Sequence, residues 1–264
     1  MAPPHLRVLL LGDLIGTPGR KLVRRLLPGL RRQFAADLVV ANGENSAGGR
    51  GITIASAEDM VAAGVDVITT GNHVWRHQDI RGGFDRLPLV RPLNYPAGAP
   101  GQGWRTVAVG DTKVTVVNAQ GRTFMEPLDN PFDALDRLLA QPPGDLGAVV
   151  VDFHAEATSE KRAFGWHLDG RVAAVVGTHT HVPTADAQIL PGGTAYVTDL
   201  GMCGARRSVI GMAVEPSVER FVTSRPTPYA VAEAGPFELD AVLVEIDRAT
   251  GRGVSIRRVD RLDD

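Results

Sequence analysis

The chain has 264 residues, of which 44% are hydrophobic and 22% are charged, and its formal net charge is −2. This composition excludes a disordered chain and an acidic or basic tail, and no apolar run approaches the roughly 18 residues that a membrane span requires. The single cysteine excludes an internal disulfide and a thiolate metal cage. The first residues lack a basic region followed by an apolar run, so we expect no signal peptide, a cytoplasmic location and no membrane association.

The first half of the chain alternates short apolar segments with longer amphipathic ones, which is typical of parallel strands connected by helices. The predicted strands are 7–12, 37–42 and 66–70, and the predicted helices are 18–34 and 53–63. We expect the first helix to be bent or interrupted at Pro28, and the second to begin with Thr53 as its N-cap. The first helix also carries six clustered basic residues: Arg20, Lys21, Arg24, Arg25, Arg31 and Arg32. We interpret them as a solvated face, with RNA contact as the alternative.

Antiparallel pairs dominate the second half of the chain. The predicted hairpins join 104–109 to 113–118, 186–190 to 194–198, and 238–247 to 253–259. Between the hairpins we predict helices at 131–140 and 159–167 and buried strands at 147–153 and 171–177. Because no repeat or low-complexity linker divides the chain, we expect one α/β domain with two sheet regions.

Side chains suited to metal binding follow five of the predicted strands. In chain order they are Asp13, Glu44 and Asn45, Asn72 and His73, His154, and finally His179 and His181. Ligands in open α/β sheets bind outside the carboxyl ends of the strands, so we expect these side chains to meet at one edge. Each one alone has an ordinary explanation as a capping, turn or surface residue. Their joint occurrence at strand ends is difficult to explain by chance.

The residue types indicate a two-metal hydrolytic site. Imidazole nitrogens with carboxylate or amide oxygens suit first-row divalent ions. Two metals about 3.5–4 Å apart need a carboxylate that bridges them, and Glu44 lies centrally in the order of ligands. We expect His179 and His181, one residue apart on an extended segment, to point to the same side.

These residues also carry a family resemblance. Gly71-Asn72-His73 resembles the G-N-H block of calcineurin-like metallophosphoesterases, and 177–181 (GTHTH) resembles their G-x-H-x-H block, one residue wider after the glycine. Asp13 matches the opening aspartate of that family, and His154 matches its isolated middle histidine. Ile15 stands where the family has a second opening histidine, and the G-D-x-x-D/E block is replaced by NGEN at 42–45.

These departures point to a closer match with the bacterial YmdB-like subfamily. The segments LGDLIGTPGR, VVANGENSAGGRGIT and VITTGNHVW resemble that subfamily, and the resemblance extends over nearly the whole chain. It implies that residues 1–264 form a single metallophosphoesterase domain. It also implies an α/β fold, a four-layer α-β-β-α sandwich of two mixed β-sheets flanked by helices. The implied activity is that of a dinuclear metal-dependent phosphodiesterase, a hydrolase acting on a small or exposed phosphodiester such as a 2′,3′-cyclic nucleotide.

The resemblance also assigns roles to the candidate residues. It implies a first metal held by Asp13, Glu44, Asn45 and His181, and a second held by Glu44, Asn72, His154 and His179. Asn45 thereby replaces the histidine that Ile15 does not supply. A hydroxide bridging the metals would attack phosphorus, and His73 would be the general acid that protonates the leaving group. The metals are expected to be two divalent or mixed-valence transition-metal ions, iron first, with manganese, zinc or nickel as alternatives.

Two other functions fit the same residues: a phosphomonoesterase on the same site, and a regulatory nucleotide- or RNA-binding protein with little turnover. RNA or RNA-processing proteins are candidate partners, and a homo-oligomer is a candidate assembly. Arg50, in the Gly-rich loop after Glu44, is a candidate phosphate contact. We expect the thiol of Cys203 to be inert, with pocket lining as the alternative.

Overall fold

The computed structural model of the chain describes residues 4–264; residues 1–3, part of the N-terminus in which we expect no signal peptide, lie outside the described residues. The strands in chain order are β1 (His5–Leu14), β2 (Leu38–Asn42), β3 (Val67–Thr69), β4 (Leu89–Val90), β5 (Trp104–Val109), β6 (Thr112–Gln120), β7 (Ala148–His154), β8 (Ala174–Thr178), β9 (Gln188–Ile189), β10 (Ala195–Val197), β11 (Met202–Ala205), β12 (Phe237–Leu239), β13 (Ala241–Asp247), β14 (Gly253–Arg258) and β15 (Arg261–Asp263). The α-helices are α1 (Gly16–Phe34), α2 (Ile54–Ala62), α3 (Pro131–Ala140), α4 (Thr158–His167) and α5 (Val214–Thr223), and a 3-10 helix covers Gln78–Gly83. Within residues 4–264, no helix is long and apolar enough to cross a membrane.

The strands form two mixed sheets. The nine-stranded sheet has the order β15-β12-β11-β1-β2-β3-β4, and β13 pairs with both β1 and β14. The six-stranded sheet has the order β5-β6-β7-β8-β10-β9. Strand β1 is parallel to β2 and β11 and antiparallel to β13, while β7 is parallel to both of its neighbours. The central strands β1 and β7 therefore end in interior positions, where side chains of neighbouring strands can meet.

The buried apolar side chains form three cores, one between the sheets and one under the helices on each outer side. Successive side chains on a strand point to opposite faces, so each central strand contributes to two cores. On β1, Leu9 packs under α1 and α2, whereas Leu10 packs against the other sheet. On β7, Val151 packs under α3 and α4, whereas Val150 packs between the sheets. The result is the predicted α-β-β-α sandwich.

The predicted hairpins β5–β6, β9–β10 and β13–β14 are confirmed. The Thr53 cap is confirmed as well, since its side chain accepts a hydrogen bond from the Ser56 N–H at 3.1 Å. Helix α1 is not interrupted, because Pro28 lies on its exposed face and a buried stripe from Leu22 to Phe34 holds both halves of the helix. The predicted strand 238–247 is divided at Asp240, since β12 pairs with β11 while β13 pairs with β1.

The basic face of α1 is largely paired within the molecule. Arg20 and Arg24 share the carboxylate of Asp59 on α2, with N–O distances of 3.1 and 2.8 Å. Arg31 pairs with Asp66 at 3.0 Å, and Arg25 pairs with the carboxylate of Asp263. These contacts favour the interpretation as a solvated face that also ties α1 to its neighbours, because a nucleic-acid surface needs unpaired cations.

Candidate metal centre

The eight candidate residues meet at the carboxyl edges of both sheets. Asp13 lies near the end of β1, Glu44 and Asn45 follow β2, and Asn72 and His73 follow β3. His154 ends β7, and His179 and His181 follow β8. Hydrogen bonds and close polar contacts join all eight into one cluster, as the strand pattern predicts.

Glu44 lies at the centre of this cluster and is completely buried. Its Oε1 lies 3.1 Å from His154 Nε2, 3.0 Å from His73 Nδ1 and 3.3 Å from Asn45 Nδ2. Its Oε2 accepts a hydrogen bond from the His73 main-chain N–H at 3.0 Å. One carboxylate therefore contacts residues from three different strand ends.

On one side of Glu44, ring nitrogens converge on a common space. His154 Nε2 lies 3.1 Å from Asn72 Oδ1 and 3.0 Å from His179 Nδ1. Ligand atoms of Glu44, His154 and His179 all lie within 4.8 Å of one another. Burial by itself would lower the pKa of His154, but the charge and hydrogen bond of Glu44 raise it to about 9. Burial and the charge of His154 lower the pKa of His179 to about 3. The Glu44 carboxylate thus favours a positive charge on the adjacent His154 ring, and that charge disfavours a second one on His179.

On the other side of Glu44, Asp13 is completely buried, and burial raises its pKa to about 6. Its Oδ2 accepts the His179 N–H at 3.1 Å, but its Oδ1 accepts no hydrogen bond from any described residue. That oxygen lies 3.7 Å from His181 Nε2, which in turn lies 3.0 Å from Asn45 Nδ2. A buried carboxylate oxygen without a partner calls for a cation, so this donor set fits a metal ion.

Asn45, rather than Ile15, is the side chain that lies beside Glu44 and His181. Ile15 is buried and packs against Gly204 and Gly211 beneath the site. Asn45 is buried between Glu44 and His181, within hydrogen-bond distance of both. Rotating its amide by 180° exchanges oxygen and nitrogen at this position, so the same side chain can present its oxygen to a cation. The side chain therefore lies within reach of both Glu44 and His181.

A buried polar chain beneath His154 fixes the tautomer of its imidazole. The Thr178 hydroxyl donates to Asp152 Oδ1 at 2.6 Å, so it accepts a hydrogen bond from His154 Nδ1 at 2.9 Å. Asp152 Oδ2 also accepts hydrogen bonds from Thr69 Oγ1 at 2.5 Å and Asn42 Nδ2 at 3.0 Å. With Nδ1 donating to Thr178, Nε2 is the nitrogen that faces the centre of the site, where a bound cation would take the place of its proton. The signal for these residues is the presence of polar side chains inside otherwise apolar strands, which our strand predictions did not use.

The expectation of an extended segment from His179 to His181 is wrong, because both residues have left-handed backbone, with φ of 98° and 65°. Asp199 holds the turn between them, since its Oδ2 accepts hydrogen bonds from the Thr180 N–H at 3.3 Å and hydroxyl at 2.8 Å. The Lys161 ammonium donates to the same oxygen at 2.6 Å, and this ion pair is buried. Such strain persists only where the surroundings over-determine it, and here it directs the two imidazoles to different sides of Glu44.

The cluster opens into a cavity of about 240 Å³. The residues that line it are Glu44, Asn45, His73, Glu156, His179, Thr180, His181, Ile210 and Tyr229. A larger cavity of about 440 Å³ lies between α1 and residues 233–237, but no candidate ligand lines it. Cys203 is buried, and burial raises the pKa of its thiol well above the usual range, which supports the expectation of an inert thiol.

We expect Gly71→Ala to reduce metal binding and lower the melting temperature, because an added Cβ would lie 2.3 Å from both Glu44 Oε2 and His154 Nε2. Overpacking of this kind typically costs about 1–3 kcal/mol of folding free energy. The checks are metal content by mass spectrometry and thermal unfolding followed by circular dichroism. Gly82→Ala is the matched control, since no atom lies within 4 Å of the position its Cβ would take. Wild-type metal content in Gly71→Ala would contradict the close packing of Gly71 against Glu44 and His154.

Comparison with known proteins identifies the family. The family model described as YmdB-like protein matches residues 9–259. The chain belongs to the YmdB-like family. It is 45% identical to a Bacillus subtilis protein named 2′,3′-cyclic-nucleotide 2′-phosphodiesterase, over 96% of each chain. It is 36% identical to a putative phosphatase/phosphodiesterase of Mycoplasma genitalium, over 97% of this chain and 92% of the other. The predicted resemblance to this family is confirmed.

Solved structures agree with this family assignment. A hypothetical protein from Thermus thermophilus superposes with a TM-score of 0.92 at 45% identity, covering 98% of this chain and 100% of that one. A novel phosphatase from Mycoplasma pneumoniae also gives 0.92, at 36% identity, covering 98% and 94%. A putative 5′-nucleotidase from Staphylococcus aureus gives 0.62 at 14% identity, and shares the fold alone. The metallophosphoesterase-like sandwich predicted from the sequence is therefore confirmed.

Proposed function

We propose that this chain is a metal-dependent phosphodiesterase that hydrolyses a small or exposed phosphodiester, with 2′,3′-cyclic nucleotides as the first substrate class. The observation that carries the proposal is that Glu44 contacts two adjacent groups of metal-suited side chains, through Asn45 on one side and His154 on the other. The name of the 45% identical Bacillus subtilis relative supports the same reaction and the same substrate class.

Two transition-metal ions fit these donors, with iron as the first candidate. We assign Asp13, Glu44, Asn45 and His181 to one ion and Glu44, Asn72, His154 and His179 to the other. When bound, the ions supply an activated water and neutralise charge on the phosphate. The unpartnered Oδ1 of Asp13 and the imidazoles that converge beside Glu44 support this assignment.

His73 is suited to give a proton to the leaving oxygen. Its Nδ1 lies 3.0 Å from Glu44 Oε1, and this oxygen can accept the Nδ1 proton. The ring lines the cavity, and only its Nδ1 is hydrogen-bonded within the described part of the chain. Nε2 is therefore the atom available to a substrate.

The reaction adds water across one ester bond. The oxygen of water forms a new bond to phosphorus, the bond between phosphorus and O2′ breaks, and O2′ leaves with a proton from His73. The second proton of water restores His73, and the product is a 3′-phosphomonoester.

A cytoplasmic location, RNA-related partners, a homo-oligomer and a single domain over residues 1–264 stay predictions from the sequence.

The test is to incubate the purified holoenzyme with 2′,3′-cyclic AMP and, separately, with adenosine 3′-monophosphate, and to separate the products by chromatography. We expect the cyclic substrate to become adenosine 3′-monophosphate, with no release of inorganic phosphate from either compound. Release of phosphate from the monoester without opening of the cyclic ester would make the protein a phosphomonoesterase. Binding of 2′,3′-cyclic AMP without turnover would make it a nucleotide-binding protein. Either result would overturn the proposal.

A further inference from the structure

One rim of the cavity is apolar, whereas its floor is made of charged and polar side chains. Ile210 and Tyr229 line this rim, opposite in character to Glu44, Asn45 and the histidines below them. Both side chains are about half exposed, at 47% and 48%. Two large apolar groups left in water beside a polar site indicate a contact surface for part of a ligand.

The backbone at this rim is held firmly. The segment after α5 bonds to residues 211–213, through the Ala213 N–H to the Ala230 carbonyl at 2.8 Å and the Ala232 N–H to the Gly211 carbonyl at 3.0 Å. Ile210 has a left-handed backbone with φ of 49°, which is strained for a β-branched residue. Its carbonyl accepts a hydrogen bond from His181 Nδ1 at 2.9 Å. The contact that orients His181 therefore also presents the Ile210 side chain to the cavity.

The ring of Tyr229 is oriented from the opposite loop. Its hydroxyl donates to the Gly49 carbonyl at 3.3 Å, and the Arg50 guanidinium lies 4.6 Å from the ring centroid. Gly49 packs closely here, since an added Cβ would lie 2.7 Å from Val231 Cγ2. The guanidinium covers one face of the ring by a cation–π contact, so a second planar group would stack on the opposite face. Arg50 thereby stiffens the ring.

We propose that Tyr229 and Ile210 form the nucleobase subsite of this enzyme, in which the base stacks on the Tyr229 ring and packs against Ile210; this inference rests on the proposed function. Protein pockets commonly hold an extruded base between an aromatic and an apolar side chain. In a 2′,3′-cyclic nucleotide only the ribose separates phosphorus from the base. With the phosphate above Glu44, the base reaches the rim of the same cavity. Stacking tolerates any base, so the subsite selects nucleosides as a class.

The kinetic test compares 2′,3′-cyclic AMP with glycerol 1,2-cyclic phosphate, which has the same five-membered cyclic phosphodiester but no base. Because one base–aromatic stack is lost, we expect Tyr229→Ala to raise KM for 2′,3′-cyclic AMP by about 5- to 150-fold, with little change in kcat. KM and kcat for the glycerol compound should not change. In Tyr229→Phe, KM for 2′,3′-cyclic AMP should stay within about threefold of the wild-type value, since the aromatic ring is kept. Phe124→Ala is the control for loss of an exposed aromatic side chain, since Phe124 is 90% exposed and does not line this cavity.

A binding measurement separates this inference from the proposed function. Calorimetric titration of the holoenzyme should show that Tyr229→Ala weakens the binding of adenosine 3′-monophosphate by the same factor by which it raises KM. The affinity for inorganic phosphate should not change. If the wild type opens neither cyclic ester, the proposed function fails, and the two titrations still decide the subsite. Equal losses for both substrates or both ligands would make Tyr229 a structural residue. An unchanged affinity for the adenosine compound would remove the subsite altogether.

Discussion

Glu44→Gln is expected to lower kcat for 2′,3′-cyclic AMP by more than about 100-fold, because loss of an outer-shell partner of a metal ligand already costs about 10- to 100-fold. Glutamine has the shape of glutamate but carries no charge, so both groups of side chains lose the carboxylate they share. The bound metal content should fall with the activity. Turnover and metal analysis on the same protein preparation check both effects.

The fold should survive this substitution. Glu44 lies in the loop after β2, at the edge of the sheet and outside the three apolar cores. Circular dichroism should therefore match the wild type. Glu58→Gln is the matched control, since it makes the same charge change on the exposed side of α2 and should leave turnover unchanged. Wild-type turnover in Glu44→Gln would remove the shared-carboxylate centre from the proposal.

His73→Ala is expected to lower kcat for 2′,3′-cyclic AMP by about 10²- to 10⁴-fold, the usual contribution of a general acid. For bis(p-nitrophenyl) phosphate the loss should be less than about 10-fold, because p-nitrophenolate leaves without being protonated. An alkoxide such as O2′ needs the proton. The ratio of the two losses, measured at one pH with both substrates saturating, isolates proton donation from substrate binding.

Metal content is the second measurement on His73→Ala, and it should equal that of the wild type. His77→Ala is the control, because His77 is half-buried and contacts the Arg50 carbonyl at 3.2 Å, away from the cavity lining. If His73→Ala loses metal, His73 is a ligand and the proton-donor role is wrong. If both substrates slow by the same factor, His73 positions the phosphate and does not protonate the leaving group.

The sequence predicts the layers of this fold well, because each local pattern agrees with the final packing. The run RVLLLG predicts a strand that is buried on both faces, and β1 indeed packs against helices on one side and a sheet on the other. Helix α5 escapes prediction although Val214, Val218 and Phe221 recur at helical spacing, and this apolar stripe is exposed because none of the residues of α5 is buried. Strand β11 (MCGA) has no β-branched residue and is stabilised by its neighbours β1 and β12.

The sequence by itself determined which side chains reach the candidate centre, since parallel strands deliver whatever follows their carboxyl ends to one edge. Only the tertiary structure decided how they meet. Glu44 and His154 are 110 residues apart on different sheets, and their 3.1 Å contact depends on how the sheets pack face to face. The left-handed turn at His179 and His181 depends on Asp199, and the Tyr229 rim depends on Arg50 from a distant loop. Local propensities predict none of these contacts, because each contact becomes favourable only after long-range packing has brought its partners together.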